Sequence, residues 1–132
     1  MATYEVHILT PEREAYSGQV EKIIARTTEG DVGIYANHID YVAGLGVGKF
    51  IMINGTEKRY AALADGFLTV SDGKVTILTD FFEWQDEIDA KRAEQARDYA
   101  QTNLAKKTDE TNHLYLEMKL KKALNRISVA NS

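Results

Sequence analysis

Cysteine is absent from the 132 residues, proline occurs once, and no glycine follows Gly73. The first absence excludes a disulfide framework, a thiolate nucleophile and any cysteine-based zinc site. The three histidines, His7, His38 and His113, are scattered without the spacing of metal ligands. No apolar run approaches the roughly 18 residues of a membrane span, and Met1-Ala2-Thr3-Tyr4 does not begin a signal peptide. A cytosol-like compartment is therefore expected. A phosphate loop of the P-loop spacing is missing too, and no serine or histidine sits in a nucleophile motif. Gly44-Leu45-Gly46-Val47-Gly48 is glycine-rich but lacks the following lysine, and it reads as a bulged strand entry. An enzyme has little here to work with.

What is present divides in two. All nine glycines lie between Gly18 and Gly73, where they serve turns and bulges between strands. The glycine-free remainder is rich in Ala, Glu, Lys, Arg and Leu, the residues that favour helices. The reading is an N-terminal antiparallel β-sandwich over residues 1–84, followed by a C-terminal αα-hairpin over 85–132. Charge follows the same division. Residues 1–85 hold 12 acidic and 7 basic side chains, whereas residues 86–132 hold 8 acidic and 9 basic, within a net charge of −4. An acidic body argues against nucleic acid, whose phosphates call for Lys and Arg.

Tyr4-Glu5-Val6-His7-Ile8-Leu9 alternates as a half-buried strand until Thr10-Pro11 ends it. Val20 to Arg26 offers a second strand. Phe50–Ile53 and Tyr60–Leu63 flank Asn54-Gly55, while Phe67–Val70 and Val75–Leu78 flank Asp72-Gly73. Both dipeptides predict hairpins with type I′ turns. Glu29 to Asp40 reads as a tight, partly exposed loop, with Asn37 suited to a left-handed conformation and His38 as a hydrogen-bonding surface residue. In the C-terminal part, Asp86 is placed to cap a helix carrying the stripe Ala93, Ala96, Ala100 and Leu104. Thr108-Asp109 then breaks and recaps the chain for a second stripe of Leu116, Leu120, Ala123 or Leu124, and Ile127. A seam built largely of alanine buries little area, so the arm is expected to have more than one arrangement of similar free energy.

The ordered set of Thr10-Pro11, Ser17-Gly18-Gln19-Val20-Glu21, Gly30-Asp31-Val32-Gly33-Ile34, Asn37-His38, Gly66-Phe67-Leu68-Thr69-Val70, Val75–Leu78, Ile88–Ala93 and Ala123–Ala130 resembles the epsilon subunit of F-type ATP synthase along essentially the whole chain. The resemblance implies a non-catalytic rotor component. Its sandwich would sit at the foot of gamma against the c-ring, with Asp31, Asn37 and His38 in or beside the loop nearest the c subunits. Its helical arm would either fold on the sandwich or extend along gamma toward the catalytic beta (and alpha) subunits and inhibit hydrolysis. The implied place is peripheral, on the cytoplasmic face of a bacterial plasma membrane, with no direct insertion. Ala36-Asn37 stands where family members often carry Pro-Gly, so the turn geometry there is its own.

Some bacterial members bind ATP on the hairpin through an Ile/Leu-Asp-x-x-Arg-Ala motif, which Ile88-Asp89-Ala90-Lys91-Arg92-Ala93 fits. The resemblance implies ATP, with or without magnesium, as a regulatory ligand and no obligatory cofactor. Asp89 would accept from the base or ribose, and Ile88 and Ala93 belong to the same motif. Arg92 would take phosphate in its fork. Lys122 and Arg126, four apart on the second helix, form a second cationic jaw, and Glu83 lies just upstream. Tyr99 replaces an arginine of the strongest binders, and Lys122 brings a point charge where a fork would grip better. The same residues admit a purely structural reading, with Asp89 as a first-turn acid, Arg92 paired to it, and Lys122 and Arg126 complementing a helix end. A free-standing ATP-sensing module is the alternative to the rotor reading, and only the rotor reading predicts a stoichiometric complex with gamma.

Overall fold

In the computed structural model, residues 2–106 and 109–132 are described, and the chain divides into two compact units, Met1–Gln85 and Asp86–Ser132. The first unit contains eight strands: β1 (Tyr4–Leu9), β2 (Glu14–Val20), β3 (Lys22–Thr27), β4 (Gly30–Tyr35), β5 (Tyr41–Leu45), β6 (Gly48–Asn54), β7 (Glu57–Ser71) and β8 (Lys74–Trp84). The last two are long enough to belong to both layers of a sandwich. The first half of β7 pairs with β6 and with the end of β8, and its second half pairs with β5 and with the start of β8. One layer therefore runs β2-β1-β8-β7-β5 and the other β4-β3-β6-β7-β8, with β1 and β8 parallel and the remaining ladders antiparallel.

Strand alternation builds the core. Tyr4, Val6 and Ile8 of β1, Ile23 and Ala25 of β3, Phe50 and Met52 of β6, and Val75 and Ile77 of β8 all point inward and are buried. Phe50, Phe82 and Trp84 meet edge to face at 5.0–6.2 Å between ring centroids, the arrangement that aligns positive ring edges with negative faces. The Trp84 indole N–H donates to the Ala15 carbonyl at 3.2 Å, and the Arg59 guanidinium lies 3.8 Å from its ring centre. Where β7 and β8 pass from one layer to the other, Asp65 and Gly66 take positive φ values of 60° and 144°. The buried Thr79 hydroxyl stands at that corner, 2.7–3.1 Å from the carbonyl oxygens of Asp65, Ala64 and Phe81. The bend thus keeps its polar groups satisfied.

Three expectations change here. Glu29 to Asp40 is only partly loop, because Gly30–Tyr35 forms β4 and pairs along its length with β3. β-branched Val32 and Ile34 carry that pairing in spite of two glycines. Gly44 and Gly48 lie within β5 and β6, and Gly46-Val47 forms the corner between them. Asn54 ends β6 opposite Glu57, so the turn is centred on Gly55-Thr56 with only Gly55 at positive φ. That is the II′ pattern and not I′. Asp72-Gly73 does form the I′ pattern, with both residues at positive φ.

The second unit holds a short 3₁₀ turn (Gln85–Glu87), α1 (Ala90–Leu104) and α2 (Glu110–Ala130). Asp89, and not Asp86, caps α1, its carboxylate accepting from the Arg92 amide at 3.1 Å. Asp86 falls within the 3₁₀ turn, which tightens the entry before the helix begins. Asp109 caps α2 through the Asn112 amide at 2.7 Å, and Thr108 lies outside the described residues. The helices pack on one another along Ala93 and Ala100 of α1 and Leu116, Ala123 and Val129 of α2. Leu124 faces out, as Ala123 takes the seam position.

Candidate functional site

Two surfaces collect the residues of interest, one on each unit. On the sandwich, the outward side chains of β1, β8, β7 and β5 form cross-strand rows fixed by register. One row is apolar: Leu9 lies beside Leu78, Leu78 beside Phe67, and Phe67 beside Gly44, which has no side chain. The next is polar, with Ser17, His7, Thr76 and Thr69 in register and Val42 at its end. The apolar row opens into a groove of about 490 Å³ lined also by Thr10, Pro11, Gly66, Thr79 and Asp80. Phe67 is 60% exposed, Leu78 50% and Val42 70%. A row of exposed apolar side chains on one sheet face is a candidate interaction surface. No motif led to it, because Phe67 and Leu78 read in the sequence as ordinary strand residues. The signal lay in register: alternation from Leu68, Val70, Val75 and Ile77 forces their neighbours outward.

The residues expected near the c-ring lie elsewhere on this unit. Asp31 is in β4, its carboxylate accepting from the Arg26 guanidinium at 2.6 Å and 3.4 Å. That partner holds the Arg26 guanidinium in its charged form more firmly still. Asn37 takes φ +64°, the left-handed conformation its side chain tolerates. His38 follows, with its Nδ1 2.7 Å from the Ile39 carbonyl oxygen and its ring edge-on to Tyr41 at 5.7 Å. Asp31 and the Asn37-His38 pair therefore stand on a strand and on the turn after it.

On the hairpin, a short connection makes α1 and α2 run back along each other, which sets Asp89 and Arg92 at the same end as Lys122 and Arg126. Asp89 meets Arg92 through the backbone amide, using Oδ1. Its other carboxylate oxygen keeps lone pairs for a hydroxyl or amino donor, so capping and ligand contact are compatible. Arg92 is exposed in the first turn of α1; Lys122 and Arg126 are half-buried and engaged with neighbours. Ile88 is half-buried before the cap, and Ala93 is buried in the seam. Glu83 belongs to the other unit, on β8 opposite Ala62. Tyr99 is 55% exposed, and the Lys119 ammonium lies 4.9 Å from its ring centre. The donor set, one carboxylate oxygen and three cations at one end of a hairpin, fits the chemistry of a nucleoside polyphosphate.

Among the described residues no cluster of His, Asp or Glu is arranged to hold a metal ion, and no helix is long and apolar enough to cross a membrane.

Comparison with known proteins covers both units. The β-sandwich domain of the ATP synthase delta/epsilon chain matches residues 3–85, and the long α-helix domain of the same chain matches residues 86–131. The ATP synthase epsilon chain of Ruminococcus albus is 42% identical across 99% of this chain and 98% of its own length. That of Caldicellulosiruptor bescii is 39% identical across 98% and 95%, and that of Bacillus velezensis 36% identical across the full length of both. Among solved structures, a chain of the Euglena gracilis mitochondrial ATP synthase (OSCP/F1/c-ring) shares the fold with a TM-score of 0.86 at 24% identity, covering 100% of this chain and 83% of that one. A chain of the Tetrahymena thermophila mitochondrial ATP synthase central stalk and c-ring gives 0.65 at 16% identity, with 96% and 95% covered. Sandwich and hairpin, in this order and at full length, place the chain in the ATP synthase delta/epsilon family, among its epsilon chains.

Proposed function

We propose that the chain is the epsilon subunit of the central stalk in an F-type ATP synthase, a rotor part with no turnover of its own that joins gamma to the c-ring. The observation that carries this reading is the exposed apolar row Leu9–Leu78–Phe67 on the sandwich. A free-standing module gains nothing from a strip of this size in water, whereas a stalk subunit must bury one against its neighbour. Gamma is the partner assigned to the groove, and Asp31, Asn37 and His38 are assigned to the c-ring side. The proposed place is peripheral at the membrane, on the cytoplasmic face in a bacterium, and the likeness to epsilon chains of ATP synthase supports it. Co-expression with the cognate gamma tests this. The wild type is expected to co-purify in equal amount, and Phe67→Asp to lose the complex while keeping its melting temperature, since Phe67 supports no core. Retention of gamma by Phe67→Asp would remove the groove from the interface.

The hairpin carries the regulatory part of the proposal: ATP binds between the first turn of α1 and the last turns of α2, and favours the folded arm over the extended, inhibitory one. Asp89, Arg92, Lys122 and Arg126 support this by their common location. Calorimetric titration with ATP and magnesium should give saturable binding that Arg92→Ala and Arg126→Ala each abolish. Absence of heat up to millimolar nucleotide would leave these residues as a cap and as surface pairs.

A further inference from the structure

Asn54-Gly55 is the only asparagine-glycine step in the chain, and that dipeptide is the most prone to spontaneous deamidation. Glycine has no side chain to keep its nitrogen off the neighbouring carboxamide. The deprotonated Gly55 nitrogen attacks Cγ of Asn54, an N–C bond forms, and the bond to the side-chain nitrogen breaks as ammonia leaves. Water then opens the five-membered imide at one carbonyl or the other, leaving aspartate or isoaspartate. Water is the only co-reactant.

Both reacting groups are held by one residue. The Gly55 N–H donates to a Glu21 carboxylate oxygen at 3.0 Å, and the Glu21 backbone N–H donates to Asn54 Oδ1, also at 3.0 Å. Glu21 sits in the bend between β2 and β3, more than thirty residues away in sequence, so the clamp exists only in the folded chain. We propose that Asn54 is a latent deamidation site and that Glu21 holds it unreactive. A carboxylate beside the Gly55 N–H opposes loss of its proton, because a second negative charge would form within hydrogen-bond distance. The carboxamide is anchored toward Glu21 and cannot turn onto the Gly55 nitrogen without giving up its bond. Ring closure also disturbs the ladder pair Asn54–Glu57. The space beyond the turn is open, with no atom other than those of Gly55 and its two chain neighbours within 4 Å of where a Cβ on Gly55 would stand, so protection comes from the clamp and not from crowding. The product would strain the hairpin: a carboxylate at position 54 faces Glu21, and an isoaspartate adds a backbone methylene at the strand end that closes the two-residue turn.

The test is ageing of the full-length protein at mildly alkaline pH, with peptide mass spectrometry of Asn54 and isoaspartate analysis. Glu21→Ala is expected to speed deamidation by about tenfold, the rate equivalent of losing one hydrogen bond to a charged group. Glu21→Gln keeps an acceptor oxygen without the charge and should fall between. Asp72-Gly73, which isomerises through the same kind of imide, is the internal reference. A lost clamp accelerates Asn54 alone, whereas general loosening accelerates both. Should Glu21→Ala loosen the whole domain, Glu21→Gln at an unchanged melting temperature decides. Equal rates in wild type and Glu21→Gln would overturn the proposal, and slower deamidation would make Glu21 a base that promotes the reaction.

Discussion

A Cβ on Gly66 would stand 2.0 Å from the Leu78 carbonyl oxygen and 2.7 Å from the Thr79 Cα, on a backbone held at φ +144°. Neither contact involves a side chain that could swing away, so the two strands would have to part where they cross between layers. Gly66→Ala is expected to cost about 3 kcal/mol or more, combining strain with the clash, read as a lower midpoint of urea unfolding at unchanged slope. A different residue contributes to the acid response. Hydrogen bonding from the His7 ring, followed by the bond and charge of Lys74, holds the Glu5 carboxyl below its ordinary value of 4.5. A carboxyl whose pKa is lower in the folded chain adds stability above its unfolded value, and that part is lost as pH falls toward the folded one. Glu5→Gln should therefore lower stability slightly near neutrality and converge with the wild type as pH falls below about 4.5, giving a shallower acid dependence, measured by melting temperature across the acid range.

At the scale of elements, the hairpin differs most from the strands in how it is held. Its seam relies on Ala93, Ala100 and Ala123, with Leu116 and Val129 as the larger members, so packing contributes little beyond the two Asp caps. Hydrogen exchange of the full-length chain should show α1 and α2 exchanging well before the amides of β1, β7 and β8. Protection equal to that of the strands would contradict a readily released arm. The helices and most strands were legible because each imposes a period of 3.6 or 2 on its apolar residues. β4 was not, since Gly30, Asp31 and Gly33 hide its alternation and its partner, β3, supplies the reason it is extended. The cap of α1 falls three residues beyond the expected one, because Asp86, Glu87 and Asp89 all suit a first turn and only backbone geometry chooses among them. The Ile88–Ala93 motif could be read from its own spacing along the chain. The groove could not, since Leu9, Leu78 and Phe67 become neighbours only through the pairing of β1, β8 and β7.

For the whole molecule, the division of labour follows from where the apolar area lies. Every member of the main core falls between Tyr4 and Trp84, so residues 1–85 hold what a fold requires. A fragment ending at Gln85 should unfold cooperatively with a melting temperature within about 5 °C of the full chain, while the isolated 86–132 peptide should be mostly unfolded by circular dichroism, as short helices are without tertiary support. The first half of that expectation is checked by calorimetry, where a broad or absent transition would show that the sandwich borrows stability from the arm.

In a rotating stalk the shared β7–β8 hairpin acquires a mechanical meaning. Two sheets that met only through side chains could slide over one another under torque, as apolar contacts resist separation far better than shear. Here the 15 residues of β7 and 11 of β8 run without interruption from one layer into the other, so a load applied to either is carried along covalent backbone and its ladder. A load on one layer is therefore shared by the other through a single continuous hairpin.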